Sequence, residues 1–164
     1  MYYFAYGSNL DPGQMLERCP SAVFVCKARL EGYRFDYTWR SDMRKGGVAD
    51  IVTSGGAVWG VVYDISESDI PVLDGFEGYR EGRDDAENVY RRIEGVKVYK
   101  DEDGRYPVTV FTYEVSNKAP VTVPPHTEYE TQVIKWARFW DFPAGYVQEL
   151  VSLGERARGK TQSA

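Results

Sequence analysis

Tyr33-Arg34-Phe35-Asp36-Tyr37-Thr38-Trp39 decides the architecture of this 164-residue chain. Aromatic residues alternate with polar ones, the period of two that marks a half-buried β-strand. The strand reaches back to Leu30, and another reads at Ala22–Ala28. After the polar excursion Ser41–Lys45 and Gly46-Gly47 come two apolar runs, Val48–Thr53 and Ala57–Ile65. They flank Ser54-Gly55-Gly56, economically read as the turn of a hairpin. Val89–Tyr99 and Tyr106–Val115 are two more strands, joined by a turn at Lys100–Arg105. Near the N-terminus, Tyr2-Tyr3-Phe4-Ala5-Tyr6 is short, aromatic and uncharged, as buried strands are.

Helical patterns lie toward the ends. Asp11 can cap a first helix, with Pro12 at its first position and Gln14 where a capping box places its return donor. Leu10 and Met15 have hydrophobic-staple spacing, and Cys19-Pro20 stops the helix. Ser66–Asp74 is a brief helical segment whose Pro71 requires a start near Ser68. Thr127–Trp140 is the clearest helix, with Tyr129, Val133, Trp136, Ala137 and Trp140 on one face. Pro143 opens a last helix that turns Val147, Leu150 and Val151 inward. The whole is an α+β chain whose sheet must hide its edges, expected to close as a small mixed β-barrel flanked by short helices. Residues 1–154 form a single expected domain, and residues 155–164 an expected polar C-terminal tail that frays.

Composition narrows the function. The 20 Lys and Arg residues against 25 Asp and Glu leave a net charge of −5, which disfavours general nucleic-acid binding. No apolar stretch approaches the ~18 residues of a membrane helix, and Met1–Tyr6 has no secretion signal. Cys19 and Cys26 are too few for a disulfide framework and read as reduced thiols of a cytoplasmic protein. A lone histidine, His126, argues against a zinc site and suits a helix entrance. No nucleotide-binding glycine motif appears, so no cofactor and no metal is expected. The chemistry is left to carboxylates, hydroxyls and backbone amides.

Two places could supply it. At the strand-to-helix corner Tyr6-Gly7-Ser8-Asn9, free amides before a helix start suit a carboxylate or a developing oxyanion. The same residues also read as an ordinary turn. In Leu73-Asp74-Gly75-Phe76-Glu77-Gly78-Tyr79, enclosure of Glu77 by Phe76 and Tyr79 would raise its pKa and make it a better base. A solvated loop glutamate is the alternative.

Together these segments resemble the gamma-glutamylcyclotransferase family. The likeness runs in order through Tyr2–Leu10 with its Tyr6-Gly7-Ser8-Asn9 loop, Ala28-Arg29-Leu30 and Gly46-Gly47-Val48-Ala49. It continues through Val58-Trp59-Gly60-Val61-Val62-Tyr63, Leu73-Asp74 with Glu77-Gly78, Val89-Tyr90, and the two closing helices. The resemblance implies a β-barrel fold and release of a gamma-glutamyl group as 5-oxoproline, with a small-molecule gamma-glutamyl amino acid or amine as substrate. It implies Glu77 as the catalytic acid/base. It implies Tyr6, Gly7, Ser8 and Asn9 as the substrate-binding loop, and Tyr129 and Tyr90 as tyrosines of the same pocket. Residues 79–88 depart from the pattern, being longer and more charged; they are expected to overhang the pocket, where Arg80 or Arg83 could meet a substrate carboxylate.

Competing readings are a sibling cyclotransferase that removes a gamma-glutamyl protecting group from a biosynthetic amine, and a non-catalytic binding module on the same fold. A third, nucleic-acid binding through Arg40, Arg44 and Lys45, conflicts with the overall charge. Thirteen tyrosines and four tryptophans could supply a homodimer interface, or simply fill a small barrel.

Overall fold

The computed structural model describes residues 1–100 and 106–161. Among the described residues, five strands close into a barrel: β1 (Tyr2–Ala5), β2 (Val23–Ser41), β3 (Gly46–Asp64), β4 (Tyr90–Tyr99) and β5 (Pro107–Val115). Their order around it is β1-β3-β2-β4-β5. The short β1 completes the ring, antiparallel to β3 with Tyr3 opposite Tyr63, and parallel to β5 with Tyr3 opposite Phe111. Closure removes the free edges that a sheet of this size would otherwise expose. Beyond residue 100, the turn expected at Lys100–Arg105 lies outside the described residues.

The hairpin expected at Ser54-Gly55-Gly56 is not formed. β2 and β3 are each 19 residues long, and the chain reverses earlier, at Asp42–Lys45. There the Lys45 amide donates to the Asp42 carbonyl at 3.2 Å, and Lys45 takes a φ of 56°. Along the ladder Tyr33 pairs with Thr53 and Glu31 with Ala57, so Ser54-Gly55-Gly56 stands opposite Gly32 alone. It is a bulge, and Gly32 accommodates it with a φ of +82° that other residues adopt at a cost. The two strands read separately at Ala22–Ala28 and Leu30–Trp39 are therefore one long bent strand.

The polar face of β2 is covered in part. Asp36 and Thr38 are buried beneath the loop that follows β5. This loop lies close on the β2–β3 hairpin because Gly46 and Gly47 carry no side chain: a Cβ on Gly46 would sit 2.9 Å from the Pro124 carbonyl oxygen. The Val123 and Ala119 amides donate to the Tyr37 and Thr38 carbonyls, both at 2.7 Å. Asp50, fully buried, accepts from the Val115 amide, the Thr38 hydroxyl and the Lys118 ammonium. The buried charge is thus paired and bonded, as burial requires.

Among the described residues four α-helices flank the barrel: α1 (Pro12–Arg18), α2 (Ile70–Phe76), α3 (Thr127–Phe139) and α4 (Ala144–Thr161). Asp11 caps α1 by accepting from the Gly13 and Gln14 amides. A 3₁₀ turn, Glu67–Asp69, precedes α2 and leaves Pro71 in its first turn. His126 caps α3 through Nδ1. α4 continues to Thr161, where the sequence suggested fraying from Glu155. Ala157 is buried, and Arg158 pairs with the buried Glu130 of α3 at 2.5 Å, which holds the end of α4 down. Among the described residues no helix is long and apolar enough to cross a membrane.

Gly60 of β3 lies against β1, where a Cβ would collide with the Ala5 carbonyl and come within 2.6 Å of the Phe4 ring. Backbone cannot yield as a flexible side chain can. Gly60→Ala should therefore destabilise the protein by about 1–3 kcal/mol in urea denaturation. Gly145→Ala on the open side of α4, where a Cβ meets nothing within 4 Å, should be neutral or stabilising.

Candidate active site

Glu77 is the C-cap of α2, and the residues around it fix its place. Gly78 adopts a φ of +65° and donates to the Gly75 carbonyl, while the Tyr79 amide donates to that of Asp74. This pairing is the Schellman ending, which wants glycine just past the cap. One turn earlier, Leu73 is fully buried. Asp74 accepts from the Tyr113 hydroxyl at 2.6 Å and from Arg92 at 2.8 Å. The end of α2 is thereby fastened to β5 and β4, and Glu77 is aimed at the mouth of the barrel.

Opposite lies the corner after β1. The 3₁₀ turn Ser8–Leu10 brings the Asn9 amide group to Glu77, with Nδ2 donating to Oε1 at 3.0 Å. The same Nδ2 donates to the Tyr3 hydroxyl at 2.9 Å. Asn9 Oδ1 accepts from Gln14 Nε2 at 3.0 Å and Arg18 Nη1 at 2.9 Å. Two donors on the oxygen side and two acceptors on the nitrogen side allow one orientation of this amide. Arg18 Nη1 also approaches Glu77 Oε1 at 3.4 Å. Oε1 is thus held from two directions, whereas no hydrogen bond to Oε2 occurs among the described residues.

Glu77 and Asn9 line a polar cavity together with Tyr3, Tyr6, Tyr90, Tyr113 and Tyr129, Gly7, Ser8 and Ala49. Here the structure corrects one expectation. Phe76 and Tyr79 do not shelter Glu77. Phe76 is 58% exposed with the Arg18 guanidinium over its ring, and Tyr79 carries that of Arg92. The shelter comes from the tyrosines of β1, β4, β5 and α3. Burial raises the Glu77 pKa; Arg18, Asn9 and Arg44 pull it down, and Asp74 pushes it up, leaving it above the ordinary carboxylate value.

The hydroxyls differ in what they can offer. Tyr6 donates to the Tyr113 carbonyl and Tyr90 to the Ala49 carbonyl, both at 2.6 Å. Their hydrogens are engaged, so they present lone pairs. Tyr129 accepts from the Ala49 amide at 3.2 Å, and Tyr3 accepts from Asn9. Their own hydrogens remain free to donate. Burial lifts all four phenol pKa values, keeping them neutral. Tyr113, whose hydrogen goes to Asp74, presents lone pairs as Tyr6 and Tyr90 do, so three hydroxyls accept and two donate beside one carboxylate. Gly7 makes room for this packing, since a Cβ there would stand 2.9 Å from the Ala49 Cβ.

The residues singled out in the sequence, Tyr6, Gly7, Ser8, Asn9, Glu77, Tyr90 and Tyr129, all line this one cavity. Tyr3, Tyr113, Gln14 and Arg18 were not singled out. Gln14 does not close a capping box; its side chain serves Asn9 instead. The charged segment 79–88 lines neither this cavity nor the groove outside it. Arg83 is engaged within its own loop by Asn88 and the Gly78 carbonyl. Among the described residues, no group of three or more His, Cys, Asp or Glu side chains gathers as a metal site.

Residues 3–135 match the family described as gamma-glutamyl cyclotransferase, AIG2-like. The chain belongs to this family. It is 35% identical over 156 residues to the gamma-glutamylcyclotransferase of Mus musculus, covering 92% of this chain and 77% of that protein. To that of Homo sapiens it is 34% identical over 161 residues, with the same coverage. A solved structure named gamma-glutamyl cyclotransferase is 33% identical and superposes with a TM-score of 0.79, covering 92% of this chain and 85% of the other.

A raised pKa means that the folded protein holds the Glu77 proton more tightly than the unfolded chain does. Its contribution to stability is full below the ordinary glutamate value of ~4.3 and is lost as pH rises through the folded value. Glutamine mimics the protonated form. Glu77→Gln should therefore raise the melting temperature at pH 7, and that gain should vanish as the pH is lowered below about 4.

Proposed function

We propose that this protein converts a gamma-glutamyl amino acid or amine to 5-oxoproline and the free amine, with Glu77 moving the protons. The observation that carries this reading is a sheltered carboxylate with one oxygen pinned by Asn9 and Arg18 and the other open to a tyrosine-lined cavity. The family relatives named gamma-glutamylcyclotransferase support it.

The chemistry starts from the α-ammonium of the substrate, whose reference pKa is ~7.7–8.0. Glu77 takes a proton from it. The freed amine attacks the γ-carbonyl carbon, the C–N bond of the ring forms, and negative charge gathers on the carbonyl oxygen. Glu77 then returns its proton to the departing nitrogen as the amide C–N bond breaks and the carbonyl re-forms; it takes the second proton from the ring nitrogen, and the released amine carries that proton away as an ammonium. Nucleophile and carbonyl belong to one molecule, so holding the near-ring conformation can be worth ~7–11 kcal/mol.

The hydroxyls fit the partners this reaction brings. Tyr6 and Tyr90 present lone pairs suited to the ammonium. Tyr3 and Tyr129 have hydrogens to give to carboxylate or carbonyl oxygens. Ser8, Gly7 and the first amides of the turn, which have no acceptor within it, complete the substrate-binding loop.

Product analysis with gamma-glutamyl amino acids and amines tests the proposal. The wild type should release 5-oxoproline, and a folded Glu77→Gln variant should lose at least about 10²-fold of that activity. Full activity in the variant would overturn the role of Glu77. The acidic limb of kcat/KM should lie above ~4.3, and Arg18→Met, by removing a cation that lowers the Glu77 pKa, should move it further up.

A further inference from the structure

Outside the tyrosine cavity lies an open groove that shares Ser8, Glu77, Tyr90 and Tyr129 with it. Trp39, Met43 and Arg44 of the β2–β3 hairpin form one flank, and Arg18 with Phe76 another. Arg18 and Arg44 are the two arginines among the residues that line this groove. Elsewhere Arg91, Arg92 and Arg158 each pair with a carboxylate of a neighbouring element, and Arg34 pairs with Asp36 on its own strand. Arg18 is engaged by Asn9 and Glu77. Arg44 is half-buried yet meets no carboxylate within 4 Å among the described residues. Its one side-chain hydrogen bond there is to a neutral group, Gln14 Oε1, at 3.1 Å.

The guanidinium is nevertheless held in place. It lies over the Tyr129 ring, 5.2 Å from the centroid. Gln14 is itself fixed, because its Nε2 donates to Asn9 and its Oε1 also accepts from Gln132. The Arg44 backbone amide donates to Ser41 Oγ, which anchors the turn. A fork of five N–H donors with one in use, stacked at the rim of the groove, is an anion receptor. It faces the groove and not the inner cavity.

On the function proposed above, the gamma-glutamyl part occupies the tyrosine cavity and its reacting carbon lies beside Glu77. The leaving amine must then project into the groove, toward Arg44. An amino acid leaving group carries a carboxylate two bonds from its nitrogen; a simple amine carries none. We infer that Arg44 is the residue that selects leaving amines bearing a carboxylate. This inference rests on the proposed site and gives Arg44 the part that the sequence suggested for Arg80 or Arg83. It also accounts for one member of the basic group Arg40, Arg44 and Lys45 without nucleic acid.

The test compares gamma-glutamylalanine with gamma-glutamylethylamide, which differ only in that carboxylate. Arg44→Gln should lower kcat/KM for the first about tenfold more than for the second, the loss appearing in KM; Arg44→Lys should restore part of it. An equal loss on both substrates would place Arg44 on the gamma-glutamyl carboxylate and overturn the inference, as would no loss on either. Titration calorimetry of Glu77→Gln with the same two compounds, with and without Arg44→Gln, reads the preference in binding alone. Absence of 5-oxoproline release by the wild type would count against the proposed reaction, while the calorimetric preference would still decide the role of Arg44.

Discussion

One amide side chain joins the two halves of the site. Asn9 comes from the turn after β1 and Glu77 from the end of α2, 68 positions apart in sequence. They meet because Asn9 is nearly fully buried and has each of its polar atoms doubly bonded, to Tyr3, Glu77, Gln14 and Arg18. A buried amide that satisfied would pay a desolvation cost in any other position. This network fixes the angle of the Glu77 carboxylate, leaves Oε2 open, and holds Gln14 where it receives Arg44. Loss of one bond would loosen all of these together.

The barrel makes that meeting possible. Closing the sheet through the short β1 places the corner after Ala5 at the barrel mouth, and the Schellman ending of α2 arrives at the same mouth through Leu73 and the Asp74–Tyr113 bond. Ala49 of β3 lies between them, with its backbone amide and carbonyl both bonded to tyrosines, Tyr129 and Tyr90. The strands therefore contribute more than apolar filling. Their main chain decides which tyrosines donate and which accept, and so the polarity of the cavity.

Local signals in the sequence were legible where local physics decides the outcome. Asp11-Pro12 caps α1 and the 3.6-residue period marks α3, whereas the segment read as ending at Asp74 runs on to Phe76, where Gly78 closes it. They failed where a distant partner decides. Ser54-Gly55-Gly56 suits a turn or a bulge equally well, and only Gly32 on the facing strand makes it a bulge. Polar alternation marks β2 as half-buried but cannot distinguish water from a covering loop, and here the loop after β5 buries Asp36 and Thr38. The family resemblance brought Glu77 and the Tyr6–Asn9 loop together, but Arg18, 59 positions from Glu77, carried no local signal. Phe76 and Tyr79 flank Glu77 in the chain and yet point elsewhere, since sequence neighbours at a helix end diverge in direction.

The balance around Glu77 suits a proton carrier better than either extreme would. Burial among tyrosines alone would hold the carboxyl protonated, and it could not accept. A full salt bridge with Arg18 would hold it ionised, and it could not give back. The 3.4 Å contact is longer than a strong ion pair, and the Arg18 fork is shared with Asn9. Burial outweighs the cations, and the pKa comes to rest above its ordinary value. On the function proposed above, Glu77 takes a proton from an ammonium and returns it to a departing amine, which needs both forms within reach, and this arrangement of one carboxylate, one amide and one shared arginine suits that demand.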